Sequence, residues 1–365
     1  MKITQIIQTL EKTAPPAYQE SYDNSELITG NSEWECTGVL CTLDATEEVI
    51  TEAIQNGYNL VIAHHPIVFS GLKALTGKNY IEKTVIAAIK NDIAIYAIHT
   101  NLDNIINGVN NVIANKLGLT NKKILLPKQN LLMKLFTFVP VEHAEKVKIA
   151  IFEAGGGYIG NYSECSFSIE GTGTFKAGEG TNPFVGEIGK RHHEKECKME
   201  VIFPSHLQSR IVQALLAAHP YEVAAYDIVP LANCYTQVGS GLTGELPAAM
   251  NETLFLHMLK TNFNLKVIKH TSLLAKKIKK VAVCGGAGSF LIDKALSDGA
   301  DIYITSDVKY HEFFDANNRI VIADIGHWES EQFTPDLIMD ILRANFPTFA
   351  VLKSKVRTNP IEYFF

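Results

Sequence analysis

Two stretches of this chain alternate short apolar β-rich runs with helical segments, and that alternation constrains the fold more than any other feature. In the first stretch, from Trp34 to about Leu117, residues 36–43, 59–63 and 93–98 read as strands. Asp44-Ala-Thr46 offers caps for a helix with Glu47 and Glu48 in its first turn, where acidic side chains suit the helix dipole, and residues 81–90 read as the next helix. The rhythm returns from about Gly239, with strands predicted at 280–284, 301–305 and 319–323, and a helix at 290–296 after Gly285-Gly-Ala-Gly-Ser289. Strands alternating with helices imply a parallel sheet covered on both faces, with functional groups gathered at the strand C-termini. The two stretches are expected to form two lobes of one α/β core.

Between them the order of elements changes. Residues 134–141 read as a strand, 142–154 as a helix, 163–175 and 197–204 as strands, 205–219 as a helix and 223–231 as a last strand. That βαββαβ order belongs to a ferredoxin-like α+β unit. The predicted organisation is a core N-terminal lobe at 1–127, an inserted domain at 128–236 and a core C-terminal lobe at 237–365. The Gly-rich, charged segment 178–196 is expected as a long loop or hairpin. A chain of 365 residues exceeds one ordinary core, which agrees with several domains.

A formal charge of −6 argues against a general nucleic-acid or membrane-surface binder, either of which carries a basic excess. No apolar run is long enough to span a bilayer. Ile3, Ile6, Ile7 and Leu10 follow the spacing of an amphipathic helix rather than a signal peptide. The six cysteines are scattered without a C-x-x-C pair, which points to reduced thiols and a cytoplasmic location.

The chemistry-bearing residues lie at strand ends. His64-His65-Pro66 closes one predicted strand. Inside a strand two neighbouring side chains point to opposite faces, but at a strand end, with Pro66 holding His65 extended, both imidazoles can enter one crevice and serve different ions. His327 and Glu331 stand four apart in a predicted helix running to Leu342, so they share a face. Glu329, two residues from His327, points elsewhere. Asp103 follows a strand in His99-Thr-Asn-Leu-Asp103. His99 fits a ligand or a hydrogen-bonding support for one. Asp307 and His311, again four apart, suit lining the pocket or positioning a water, or plain capping and packing. Three imidazoles and two carboxylates are too many for one zinc and natural for two divalent ions sharing a carboxylate; the donor types suit zinc, iron or manganese alike. Gly285-Gly-Ala-Gly-Ser289 reads as a tight turn or an anion cradle, without Walker or dinucleotide spacing.

Asp44-Ala-Thr46, Ile62-Ala-His-His-Pro-Ile-Val-Phe69, His99-Thr-Asn-Leu-Asp103, Val283-Cys-Gly-Gly-Ala-Gly-Ser289, Thr305-Ser-Asp-Val-Lys-Tyr-His311 and Gly326-His-Trp-Glu-Ser-Glu331 together resemble the dinuclear-metal GTP cyclohydrolase I type 2 homologues. Gly160-Asn-Tyr-Ser-Glu-Cys-Ser-Phe167, Gly171-Thr-Gly-Thr-Phe175, His219-Pro-Tyr-Glu222 and Ala225-Tyr-Asp227 resemble the PII/CutA-like inserted domain of the longer members. The resemblance implies one ion on His64 and Asp103, another on His65 and His327, Glu331 between them, and a toroidal homohexamer. Glu26 and Ser306 stand where that family usually has Gly, and Val223 where a second Glu is usual. The resemblance further implies a metal-dependent hydrolase acting on a nucleotide-like or phosphate-bearing small molecule. The alternative expectation is a non-catalytic metal-binding or regulatory protein whose insert senses a ligand.

Overall fold

The structure, a computed structural model, describes residues 1–364. The chain divides into two compact units, Met1–Leu126 with Gln237–Phe365, and Pro127–Thr236. Both are mixed α/β.

The first unit holds two sheets. In the five-stranded sheet, Ala94–Ala97, Leu60–His65, Val39–Asp44 and Val351–Lys353 run parallel in that order, and Glu26–Thr29 pairs antiparallel on the Ala94–Ala97 edge. Leu60, Val61, Ile62 and Ala63 are all fully buried, the continuous apolar run expected when both faces of a parallel strand are covered. Each of the larger side chains contributes about 1.5–3 kcal/mol by leaving water. Thr46 caps the helix Glu47–Asn56 by accepting from the Val49 N–H, and Gly57, at φ 68°, ends it in the left-handed conformation.

The six-stranded sheet has Lys277–Ala287, Ile302–Ser306 and Val321–Asp324 parallel at its centre. Each sheet takes an edge strand from the other half of the chain. Val351–Lys353 completes the first, and Thr120–Lys128 borders the second. The two predicted lobes are therefore laced together rather than contiguous in sequence.

Two helices differ from expectation. The segment after His327 is not one helix but His327–Glu331 followed by Thr334–Asn345. Pro335 lies in the first turn of the second helix, where a residue without an N–H is tolerated, whereas deeper in one continuous helix it would break the ladder. The helix predicted at 290–296 begins as a 3₁₀ turn, Ser289–Leu291, before Ile292–Ser297.

In the second unit, Leu132–Pro140, Ser166–Lys176, Arg191–Pro204 and Tyr226–Leu231 form one antiparallel sheet. Cys197, Met199, Val201 and Phe203 alternate inward from the strand Arg191–Pro204 and pack with Val147, Ile151, Ile211 and Leu215 of the helices Ala144–Glu153 and Gln208–Ala218. Part of the predicted loop at 178–196 is strand from Arg191 onward. The remainder is closed at its base by the Gly189 N–H donating to Ala177 O at 2.8 Å.

Candidate metal centre

The strand Leu60–His65 delivers both histidines, His64 fully buried and His65 about one-fifth exposed. Their ring centroids lie 5.0 Å apart with planes at 45°, so the strand end turns both rings toward one crevice. Asp103 ends a single helical turn, Thr100–Asp103, after the neighbouring parallel strand. His327 opens the short helix His327–Glu331, entered through Gly326 at φ 91°, and Glu331 lies one turn on.

Glu331 divides its two oxygens between two groups. Oε2 lies 2.9 Å from His65 Nε2 and 3.2 Å from His327 Nε2, and these two nitrogens are 3.3 Å apart. Oε1 lies 3.9 Å from His64 Nε2, which is 3.5 Å from Asp103 Oδ1. Ligands about 2.0–2.1 Å from a tetrahedral metal sit roughly 3.3 Å from one another. The first triad has that spacing already, and the second is slightly wider.

The protons on the rings show what these atoms offer. His64 Nδ1 donates to Ile98 O at 2.8 Å, His65 Nδ1 to Asp44 Oδ1 at 2.7 Å and His327 Nδ1 to Asp307 Oδ2 at 2.5 Å. A carbonyl and carboxylates only accept, so each ring carries its proton on Nδ1. With the rings neutral, each Nε2 turns a lone pair inward. Both triads then become converging lone pairs with no donor among them, and His64 Nε2 and Asp103 Oδ1 are buried without a hydrogen-bond partner. Acceptors so arranged could hold a cation. The residues fit a metal ion, and imidazoles fixed by carboxylates are the usual support of one.

Without a metal, protons must take its place. Burial pushes the His65 imidazole down, but the Asp44 and Glu331 carboxylates outweigh it and hold the ring at about 9. Burial likewise opposes the charge on His327, yet Glu331 and Asp307 raise it to about 11. Burial, reinforced by Glu331, lifts Asp103 to about 7. Burial works against the Glu331 charge as well, but His327 keeps that carboxyl well below its ordinary value.

His99 joins the group without a bond to Glu331. Its Nδ1 donates to Asp23 Oδ1 at 2.8 Å, and its ring stands edge-on to His64 and His65 at 5.3 and 5.4 Å. Asp307 orients His327. His311 is not brought in; it is exposed and packs beside Tyr310 and Phe314. Glu329 turns away and accepts from Asn359 at 3.0 Å.

Several supports escaped the sequence reading. Asp44, valued there as a cap, orients His65, and Asp23 orients His99. Ser330 accepts from the Gly286 N–H at 2.9 Å and donates to His327 O at 2.8 Å. Gly286 lies in the strand Lys277–Ala287 rather than in a turn. At φ 63° it runs beside Glu331, where a Cβ would come within 2.5 Å of Oε1. Ser306 donates to Gly286 O at 2.5 Å and holds that backbone in place. Glu26 has φ 102°, a conformation that costs a non-glycine residue on the order of 1–3 kcal/mol.

The centre opens into a cavity of about 390 Å³ whose lining includes Tyr22, Phe69, Phe290, Glu20 and Cys284. Tyr22, Phe69 and Phe290 are each more than half exposed, forming an aromatic rim. No lining residue is Lys or Arg.

Residues 1–360 match the family model described as Duf34/NIF3 (NGG1p interacting factor 3). The chain is 38% identical over 363 residues to a GTP cyclohydrolase 1 type 2 homolog of Halalkalibacterium halodurans, covering 98% of each. To the Bacillus subtilis homolog it is 37% identical over 326 residues, covering 89% of this chain and 87% of the relative. A solved Bacillus cereus protein related to NIF3 superposes with a TM-score of 0.88 at 38% identity, covering 100% of this chain and 99% of that one.

Proposed function

The chain belongs to the Duf34/NIF3 family, and from that premise we propose a dinuclear-metal protein that hydrolyses a nucleotide-like or phosphate-bearing small molecule. One ion is assigned to His64 and Asp103, the other to His65 and His327, with Glu331 shared. The reading is carried by the division of Glu331, one oxygen facing each group of lone pairs. It is supported by relatives named as GTP cyclohydrolase 1 type 2 homologs. Zinc, iron or manganese suits these donors.

When bound, a pair of divalent ions supplies Lewis acidity and lowers the pKa of water toward neutrality. The chain's own residues do the rest. Asp44 and Asp307 fix the orientation of His65 and His327. The rim of Tyr22, Phe69 and Phe290 offers flat apolar surface against a heterocyclic ring. The segment 128–236 is proposed as a separate domain carried by the core. The assembly is proposed as a cytoplasmic homohexamer.

One observation favours a second reading, a non-catalytic metal-binding or regulatory protein. The cavity lining has no Lys or Arg to hold a phosphate. Turnover of nucleotides and model phosphoesters by metal-reconstituted protein, beside Glu331→Ala, separates the two. Metal-dependent hydrolysis lost in the variant supports the enzyme. Tight metal binding without turnover on any substrate overturns it in favour of the second reading. Sedimentation analysis tests the hexamer.

A further inference from the structure

Within the unit Pro127–Thr236 a cavity of about 460 Å³ lies where the end of the strand Ser166–Lys176, the loop after it and the turn after the helix Gln208–Ala218 come together. These segments contain Gly171-Thr-Gly-Thr-Phe175 and His219-Pro-Tyr-Glu222, sequence patterns in which the metal centre has no part.

Tyr221 joins two other rings in this cavity, Phe175 at 6.0 Å and Phe184 at 6.2 Å between centroids. Its place is set from three sides. The Tyr221 N–H donates to His219 Nδ1 at 3.0 Å, which leaves His219 Nε2 to donate to Phe138 O at 3.0 Å. The Tyr221 hydroxyl donates to Glu196 Oε1 at 2.8 Å. The other carboxylate oxygen of Glu196 takes no hydrogen bond among the described residues. It lies against Gly173, where any Cβ would clash with it, so a glycine is needed for the carboxylate to occupy this position. Glu222 accepts from the Asn182 N–H at 3.0 Å and ties the glycine-rich loop beside the cavity. Of the charged side chains in the lining, Glu196 and Glu222 outnumber Lys176 by one.

A carboxylate with one oxygen free, half-buried among aromatic rings, is complementary to a cation that carries its own apolar surface. We propose that this cavity is a binding site for a small organic cation, a quaternary ammonium or a protonated amine on an apolar body. Glu196 is its counter-ion, and Phe175, Phe184 and Tyr221 are its walls. The site is independent of the metal centre and of any hydrolytic activity there.

Calorimetric titration of the full-length protein with choline and, separately, with its uncharged tert-butyl isostere dimethylbutanol tests this. Choline is expected to bind about tenfold more tightly than the isostere, the scale of a partly desolvated cation–π contact. Glu196→Gln is expected to remove most of that preference, and Phe175→Ala to weaken both ligands, with metal content unchanged in each variant. Tyr221→Phe keeps the ring and frees Glu196, so it retains choline binding and serves if Phe175→Ala does not fold. Absence of choline binding, equal affinity for the isostere, or a preference undiminished in Glu196→Gln overturns the proposal.

Discussion

His65 Nε2 and His327 Nε2 face each other across 3.3 Å, although 262 residues separate them in the chain. Each ring donates its Nδ1–H to a carboxylate on its far side, Asp44 for one and Asp307 for the other. Two lone pairs aimed at each other repel unless a cation stands between them, and this relationship governs the behaviour expected of the centre.

Asp44→Asn and Asp307→Asn leave every proposed ligand in place but remove the charge that fixes ring orientation and basicity. Each is expected to weaken metal affinity by about 10–100-fold, the range for supports of this kind, measured by competition with a chromophoric chelator. His311→Ala, outside the group, is expected to leave affinity unchanged. An equal loss in that variant would mean the centre had been drawn with the wrong boundary.

Glu331→Gln keeps the size of the shared side chain and removes its charge. Metal content by elemental analysis is expected to fall at both positions together rather than at one, because one carboxylate oxygen faces each triad. Loss of a single equivalent would show that the carboxylate serves only one position.

Gly286→Ala places a methyl within 2.5 Å of Glu331 Oε1 at a backbone φ of 63°. Strain at a left-handed position and displacement of a buried carboxylate together are expected to cost about 1–3 kcal/mol, seen in chemical denaturation of metal-free protein. Metal affinity should fall alongside. Gly57→Ala, also left-handed but with open space around it, should show the strain without the loss of metal.

Stability of the metal-free protein should depend on pH in a direction opposite to that of the loaded protein. His65, held at about 9 in the fold against an ordinary 6.5, contributes stability that is complete below 6.5 and is lost as pH rises through 9. Asp103, raised from 3.8 to about 7, favours its protonated form in the fold, so its contribution also fades as pH rises through 7. Metal-free protein is therefore expected to lose stability between pH 6.5 and 9, with His327, raised from 6.5 to about 11, adding to the loss over the same window. With metal present, the protons being displaced are competitors, and affinity rises over the same window. A Tm series with and without chelator reads both trends. Parallel curves would refute the exchange of metal for protons.

Much of the α/β core could be read from local pattern. Apolar runs such as Leu-Val-Ile-Ala before His64-His65, and the four-residue interval from His327 to Glu331, reflect periodicities of 2 and 3.6 that strands and helices impose on any chain. The break after Glu331 was missed because the apolar spacing runs on through it, while the proline that ends continuity sits in a position that also suits a helix start.

The placement of His64 at a strand end, and of Asp103 and His327 shortly after one, thus follows from amino-acid order, because backbone geometry acts over a few residues at a time. That Asp44 serves His65, that Gly286 clears space for Glu331, and that the two sheets exchange edge strands do not. Those relationships join groups as far apart in sequence as Val39 and Val351 and arise when packing brings strand termini against one another. There the desolvation of each carboxylate selects which imidazole it must support. Such selection has no counterpart in a local pattern, since it acts between surfaces that exist only once the core has closed.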